Sequence, residues 1–168
     1  MKMQQVGSYF CYENAYVYGD VHIGKNTSIW PFTAIRGDVA SIYIGEQCSI
    51  QDGTVVHCKS GVDQHIGNRV IVGHQACLHC KEIGDDVLIG TGSKILDDAI
   101  VQSGSLVASG AVVTPGTVVE SGWVYAGVPA KKLRPIKDEE LAYIAKLSVR
   151  YLDLAKHHLA GKQNVLGR

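Results

Sequence analysis

From Ile83 onward an aliphatic residue stands at every sixth position, through Ile89, Ile95, Val101, Val107, Val113 and Val119, and Tyr125 closes the series. A six-residue period fits neither the 3.6-residue helix nor the alternation of a hairpin. The same phase runs back through Leu78, Val72 and Ile66, then Val56, Ile50 and Ile44, then Ile35, Ile29, Ile23 and Val17. Three irregular steps separate these blocks: nine residues from Ile35 to Ile44, ten from Val56 to Ile66, and five from Leu78 to Ile83. They predict two loops and a one-residue deletion. Glycine often follows the aliphatic residue, as at Gly24, Gly45, Gly67, Gly73, Gly84 and Gly90, and is expected to permit a sharp corner there. Strands of about four residues joined by two-residue corners make a parallel β-helix, a three-sided prism with about eighteen residues per coil and its aliphatic columns on the axis.

After Gly127-Val128-Pro129-Ala130 the pattern becomes helical. Asp138 is the expected N-cap, Glu139 and Glu140 fall in the first turn, His157 and His158 in the last, and Gly161 takes the C′ position. Leu141, Ile144, Leu147, Tyr151, Leu154 and Leu159 form one apolar stripe. A helix of roughly 22 residues should therefore pack on the prism. One domain results: residues 1–134 form the β-helix with its lead-in, and residues 135–168 carry the helix.

Composition agrees, since 29 of 34 Val and Ile residues lie between Val17 and Val128, whereas 7 of 11 Leu residues lie between Leu133 and Leu166. Sixteen basic residues against sixteen acidic ones leave no field for phosphates, so no nucleic-acid partner is expected. No apolar stretch reaches signal-peptide or membrane-spanning length, which predicts a soluble, cytoplasmic chain without a membrane partner. Five cysteines make a poor disulfide framework and suit a reducing compartment.

The repeat register converts spacing into position. Residues one coil apart share a column at about 4.8 Å. His57 follows inward Val56 and His79 follows inward Leu78, so the two stack at one corner, with Arg36 one coil before them. His74 lies two residues after Val72, in a column with Asp52 on a different edge. Two stacked imidazoles can converge on one ion, but a catalytic tetrahedral site needs a third protein ligand. A closed three-fold ring of prisms would supply His74 from a neighbouring subunit.

The segments Ser28-Ile29-Trp30-Pro31, Ile35-Arg36-Gly37-Asp38-Val39, Ile50-Gln51-Asp52-Gly53, Val72-Gly73-His74 and Leu78-His79 together resemble the gamma-class carbonic anhydrase family, including its ferripyochelin-binding-protein-like branch. The resemblance covers about residues 10–160. It implies a left-handed prism, where the general crossover rule would favour the right-handed sense. It further implies a homotrimer with metal sites at subunit interfaces, His57, His74 and His79 as ligands, and zinc as the metal, with iron or cobalt equally suited to three imidazoles. The implied activity is reversible hydration of CO2 to bicarbonate by hydroxide held on the metal.

By the same resemblance Gln51 orients the hydroxide, with Gly73 leaving it room. Arg36, Asp38 and Asp52 form an interface ion-pair network in which Arg36 meets a bicarbonate oxygen. Trp30 and Pro31 are packing residues. The family prototype relays protons through a glutamate-rich loop, whereas the loop Cys58–His65 holds no glutamate, which leaves Asp63 or His65 as unmatched relays and sets the expected turnover low. Cys58 and Cys80 share a column at disulfide-compatible spacing, so oxidation would bridge them, with reduced thiols as the expected resting state. Two other functions fit the fold. One is a catalytically silent metal-binding or assembly subunit. The other is a coenzyme A-dependent acyltransferase of the hexapeptide class, whose G-x-P-A segment resembles Gly127-Val128-Pro129-Ala130.

Overall fold

The computed structural model describes residues 2–162; the end of the expected C-terminal segment, residues 163–168, lies outside them, as does Met1. Short parallel strands stack into a three-sided prism of about six coils. One face is built from Tyr9–Tyr12, Ser28–Ile29, Ser49–Ile50, Ile71–Val72, Leu88–Ile89, Leu106–Val107 and Trp123–Ala126, extended by the antiparallel end strands Met3–Val6 and Lys131–Pro135. The second and third faces belong to one ten-stranded sheet. The eleven-residue strand Ala34–Ile44 joins them, pairing at its start with Val55–His57 and at its end with Gln64–Ile66.

That strand corrects the expected loop between Ile35 and Ile44. Ala34–Ile44 runs around the corner in contact with Tyr16–Ile23, and the surplus residues are taken up as a bulge opposite Gly19–Val21. A bulge absorbs an insertion with only a local break in the ladder. The loop expected between Val56 and Ile66 is present, between the strands Val55–His57 and Gln64–Ile66.

Side chains of the six-residue series fill the axis. In one column Ile29, Ile50, Val72, Ile89, Val107 and Tyr125 are all buried, and each such aliphatic contributes about 1.5–3 kcal/mol by leaving water. The corners work differently from the expectation. The residue with positive φ stands three places after the inward aliphatic, as at Phe32, Gly53, Gln75 and Asp98, where φ lies between 57° and 70°. Glycine directly after the aliphatic answers to crowding instead. A Cβ on Gly45 would lie 2.5 Å from the Gly67 carbonyl oxygen on the coil above.

The helix spans Asp138–Leu159. Its N-cap is Lys137, not Asp138: the Glu140 carboxylate turns back to accept the Lys137 backbone N–H at 2.9 Å, and Asp138 opens the first turn. Gly161 has φ 70° just past the end, as expected of C′. The helix runs back down the first face, meeting Ile71–Val72, Ser49–Ile50, Ser28–Ile29 and Met3–Val6. Ile144, Ser148 and Ala155 are buried there, and Ser148 accepts a hydrogen bond from Gln47 Nε2 at 2.9 Å. The expected stripe is only partly used, for Leu141 and Leu159 at its ends are 36% and 40% exposed. No helix among the described residues is long and apolar enough to cross a membrane.

Candidate functional site

Two corners flank the second face. At the corner between the second and third faces, Arg36, His57 and His79 stack in register, because Ile35, Val56 and Leu78 pair in one ladder below them. His57 Nδ1 and His79 Nε2 stand 3.2 Å apart, with the rings tilted at 47°. Each ring is held from outside. His57 Nε2 lies 2.9 Å from Asp38 Oδ1, and His79 Nδ1 lies 2.7 Å from Asp97 Oδ1. Asp38 also accepts from Arg36 Nη1 at 2.5 Å. The His57 hydrogen bond, followed by the Arg36 guanidinium, holds the Asp38 carboxyl below its ordinary range.

At the corner between the first and second faces, His74 Nδ1 lies 2.9 Å from Asp52 Oδ2, which leaves the half-exposed ring's Nε2 uncommitted. Gln51 is 4% exposed beside it. The two share a cleft of about 260 Å³ with Gly73, Thr91, Tyr143 and Tyr151, between the first face and the helix. The structure thus divides the expected residues into Arg36, Asp38, His57 and His79 at one corner and Gln51, Asp52 and His74 at the other. Among the described residues of a single chain, no three metal-ligating side chains converge.

The donor set nonetheless fits a shared cation. A neutral imidazole carries one proton. With those protons donated to Asp38 and Asp97, His57 Nδ1 and His79 Nε2 would face each other as two lone pairs at 3.2 Å, an arrangement that calls for a cation between them. Two nitrogens on a tetrahedral zinc, each about 2.1 Å away, stand about 3.4 Å apart. Carboxylates on the outer nitrogens are the partners that metal-binding histidines ordinarily have.

Several expectations change. Within one chain Asp52 pairs with His74, since it sits directly below it in the same column. Gly73 is demanded by Thr91 N, which a Cβ would approach to 2.6 Å, as well as by any need for room near Gln51. His65 is stacked flat on Tyr43 at 4.9 Å in the third face, and Asp63 accepts the Ser41 backbone N–H at 3.0 Å, so both unmatched relay candidates are engaged elsewhere. Trp30 is buried, donating between the Ser28 and Ser49 hydroxyls at 3.0 Å, and packs on Tyr12, Tyr151 and His158.

Cys58 and Cys80 are free, buried thiols. The Cys58 sulfur approaches the Ala40 carbonyl at 3.3 Å, while burial pushes Cys80 up to about 12. Sequence reasoning missed Asp97, although one more coil in the repeat register places it next to His79. It also passed over the C-x-x-C spacing of Cys77 and Cys80 around that histidine. Cys77 is the partly exposed member and Cys80 the buried one.

Comparison with known proteins shows the family of the chain. Residues 81–115 match the family model described as bacterial transferase hexapeptide (six repeats). Over 157 residues, or 90% of this chain, it is 40% identical to gamma carbonic anhydrase 1, mitochondrial, of Arabidopsis thaliana, and it spans 57% of the length of that plant relative. Over 144 residues it is 47% identical to a probable carbonic anhydrase of Methanocaldococcus jannaschii, covering 86% of this chain and 91% of that protein. A solved hexapeptide transferase family protein from Anaplasma phagocytophilum superposes with TM-score 0.87 at 42% identity, covering 92% of this chain and 91% of that one. With the Methanocaldococcus relative this similar along nearly its whole length and the repeat architecture in common, the chain belongs to the gamma-class carbonic anhydrase-like family of hexapeptide-repeat proteins.

Proposed function

We propose that the protein is a metal-dependent carbonic anhydrase that reversibly hydrates CO2 to bicarbonate, as a homotrimer whose sites are shared between neighbouring subunits. The observation that carries the reading is the facing pair of His57 Nδ1 and His79 Nε2, each ring tied at its far nitrogen to a carboxylate. His74, held by Asp52 with Nε2 directed outward, supplies the third imidazole from the next subunit. The second face between the two corners suits the three-fold axis. Its outward column is Tyr16, Ala34, Val55, Cys77, Lys94 and Val112, largely apolar, with Tyr16 56% and Val55 45% exposed.

Zinc, or iron or cobalt in the same ligand set, would supply the lowered water pKa that makes a hydroxide nucleophile available near neutral pH. The chain's own residues do the rest. Asp38 and Asp52 keep His57 and His74 in the tautomers that present a lone pair. Gln51, enclosed beside His74, orients the attacking oxygen through its amide, and Arg36, anchored on Asp38, faces the bicarbonate oxygen. Hydration releases one proton per turnover; in the loop between His57 and His65 the carboxylate of Asp63 accepts the Ser41 N–H and the ring of His65 stacks on Tyr43, so the proton leaves through buffer. The reading keeps the chain in a cytoplasmic, reducing compartment, in accord with its free thiols.

A hexapeptide acyltransferase shares the prism, as the structural relative named a transferase illustrates. It has no use, however, for two histidines that face each other at 3.2 Å, each backed by a carboxylate. Metal analysis of protein purified without oxygen, followed by stopped-flow CO2 hydration, tests the proposal. The expected result is one metal per subunit and hydration above the buffer rate. Fully metallated trimer without hydration would replace the lyase by a silent metal-binding subunit.

A further inference from the structure

We infer that Asp97 is the positioning residue for His79, fixing which of its nitrogens carries the proton and where the ring points. Asp97 comes from the next coil. Leu78 pairs with Ile95, which places the turn 96–98 directly over His79 and Cys80. That turn is closed by the Ala99 N–H on the Leu96 carbonyl at 3.1 Å, and the Asp97 carbonyl is itself held by the Gly116 N–H at 2.8 Å. His79 is pinned on its own rung, its backbone N–H donating to the Ile95 carbonyl at 2.8 Å. Both ends of the 2.7 Å contact between His79 Nδ1 and Asp97 Oδ1 therefore stand on hydrogen-bonded backbone, with little slack.

The contact decides the chemistry at the opposite edge of the ring. Neutral imidazole can carry its proton on either nitrogen, and a carboxylate at Nδ1 selects the form with Nε2 bare. Without Asp97 the alternative form places the Nε2 proton in the 3.2 Å gap to His57 Nδ1, where it makes an ordinary hydrogen bond and closes the pair to a cation. Asp38 does the equivalent for His57 from the coil below. The corner is thus clamped from both sides along the prism axis. The neighbouring Asp98 is engaged differently, with Lys59 Nζ at 2.6 Å, and serves as the internal control.

The inference about metal rests on the function proposed above, but the tautomer does not. Histidine-selective nitrogen-15 spectra of the metal-free full-length trimer at pH 8 should show His79 protonated at Nδ1. Asp97→Ala should shift that population toward Nε2. Asp97→Asn, whose amide oxygen still accepts from Nδ1–H, should restore it in part. Zinc affinity, read by chelator competition, should fall about 10- to 100-fold in Asp97→Ala and recover in part in Asp97→Asn, while Asp98→Asn stays near wild type. An Asp97→Ala protein with the wild-type His79 spectrum overturns the inference. If the wild-type chain binds no zinc the proposed function fails, and the histidine spectrum still decides the role of Asp97.

Discussion

Gly45→Ala tests whether coil spacing dictates the corner glycines. The new Cβ would lie 2.5 Å from the Gly67 carbonyl oxygen and 2.7 Å from its carbon, with Asn68 Oδ1 at 2.6 Å. An ordinary carbon–oxygen contact is about 3.3 Å, so the next coil must retreat by about 0.8 Å. It is not free to do so. Gly45 N–H donates to the Ile66 carbonyl at 2.8 Å, and Gly67 N–H to the Ile83 carbonyl at 2.7 Å, and stretching the first by that amount removes it. A lost backbone hydrogen bond costs about 1 kcal/mol net, and overpacking a rigid wall adds about 1–3 kcal/mol. The variant should therefore lose about 3 kcal/mol in urea unfolding. Gln75→Gly, at an exposed corner position with φ 57°, should move the other way by about 1 kcal/mol, since glycine avoids the left-handed penalty. A Gly45→Ala protein within 0.5 kcal/mol of wild type, on the order of an ordinary surface substitution, would refute the reasoning.

Gln51→Ala should lower the CO2 hydration rate strongly, and wild-type activity should climb with the concentration of a small imidazole buffer; a rate indifferent to buffer would reveal a proton relay within the protein. Glu140 is held down to about 2 by paired hydrogen bonds from Arg134 and by the Lys137 backbone N–H. Its stabilisation is accordingly complete above the ordinary carboxyl value near 4.5 and is lost as pH falls toward 2. With the side chain partly in solvent, the loss should be about 1 kcal/mol, seen as a drop in Tm between pH 6 and pH 2.5 that is smaller in Glu140→Gln by that share. Burial pushes Cys48 up to about 11 and Cys80 up to about 12, so both should resist alkylation at pH 8 in the native protein and react once unfolded in urea.

The axial core was legible because a six-residue period has one structural solution, and columns read from it placed His57 over Arg36, His79 over His57, and His74 over Asp52. Spacing alone could not separate a loop from a bulged strand between Ile35 and Ile44, since both interrupt the count equally. Nor could it say why glycine follows the aliphatic residue, because crowding between coils and a positive φ call for the same residue type. Asp97 and the Glu140 return to Lys137 escaped for a related reason. The register brings Asp97 within one coil of His79, but each contact depends on where a flexible side chain turns once its backbone is fixed, and period carries no such information.

The most direct test of a site divided between subunits is complementation between His57→Ala and His74→Ala trimers. Each variant alone lacks one ligand at every interface and should bind little metal and hydrate no CO2. After equal amounts are unfolded together and reassembled, three in four trimers should be mixed, and each mixed trimer holds one interface with all three histidines, which restores about a quarter of the wild-type sites. Metal content and hydration recovering together to about that level is the predicted result. A mixture as inactive and metal-poor as its parents would contradict the shared site.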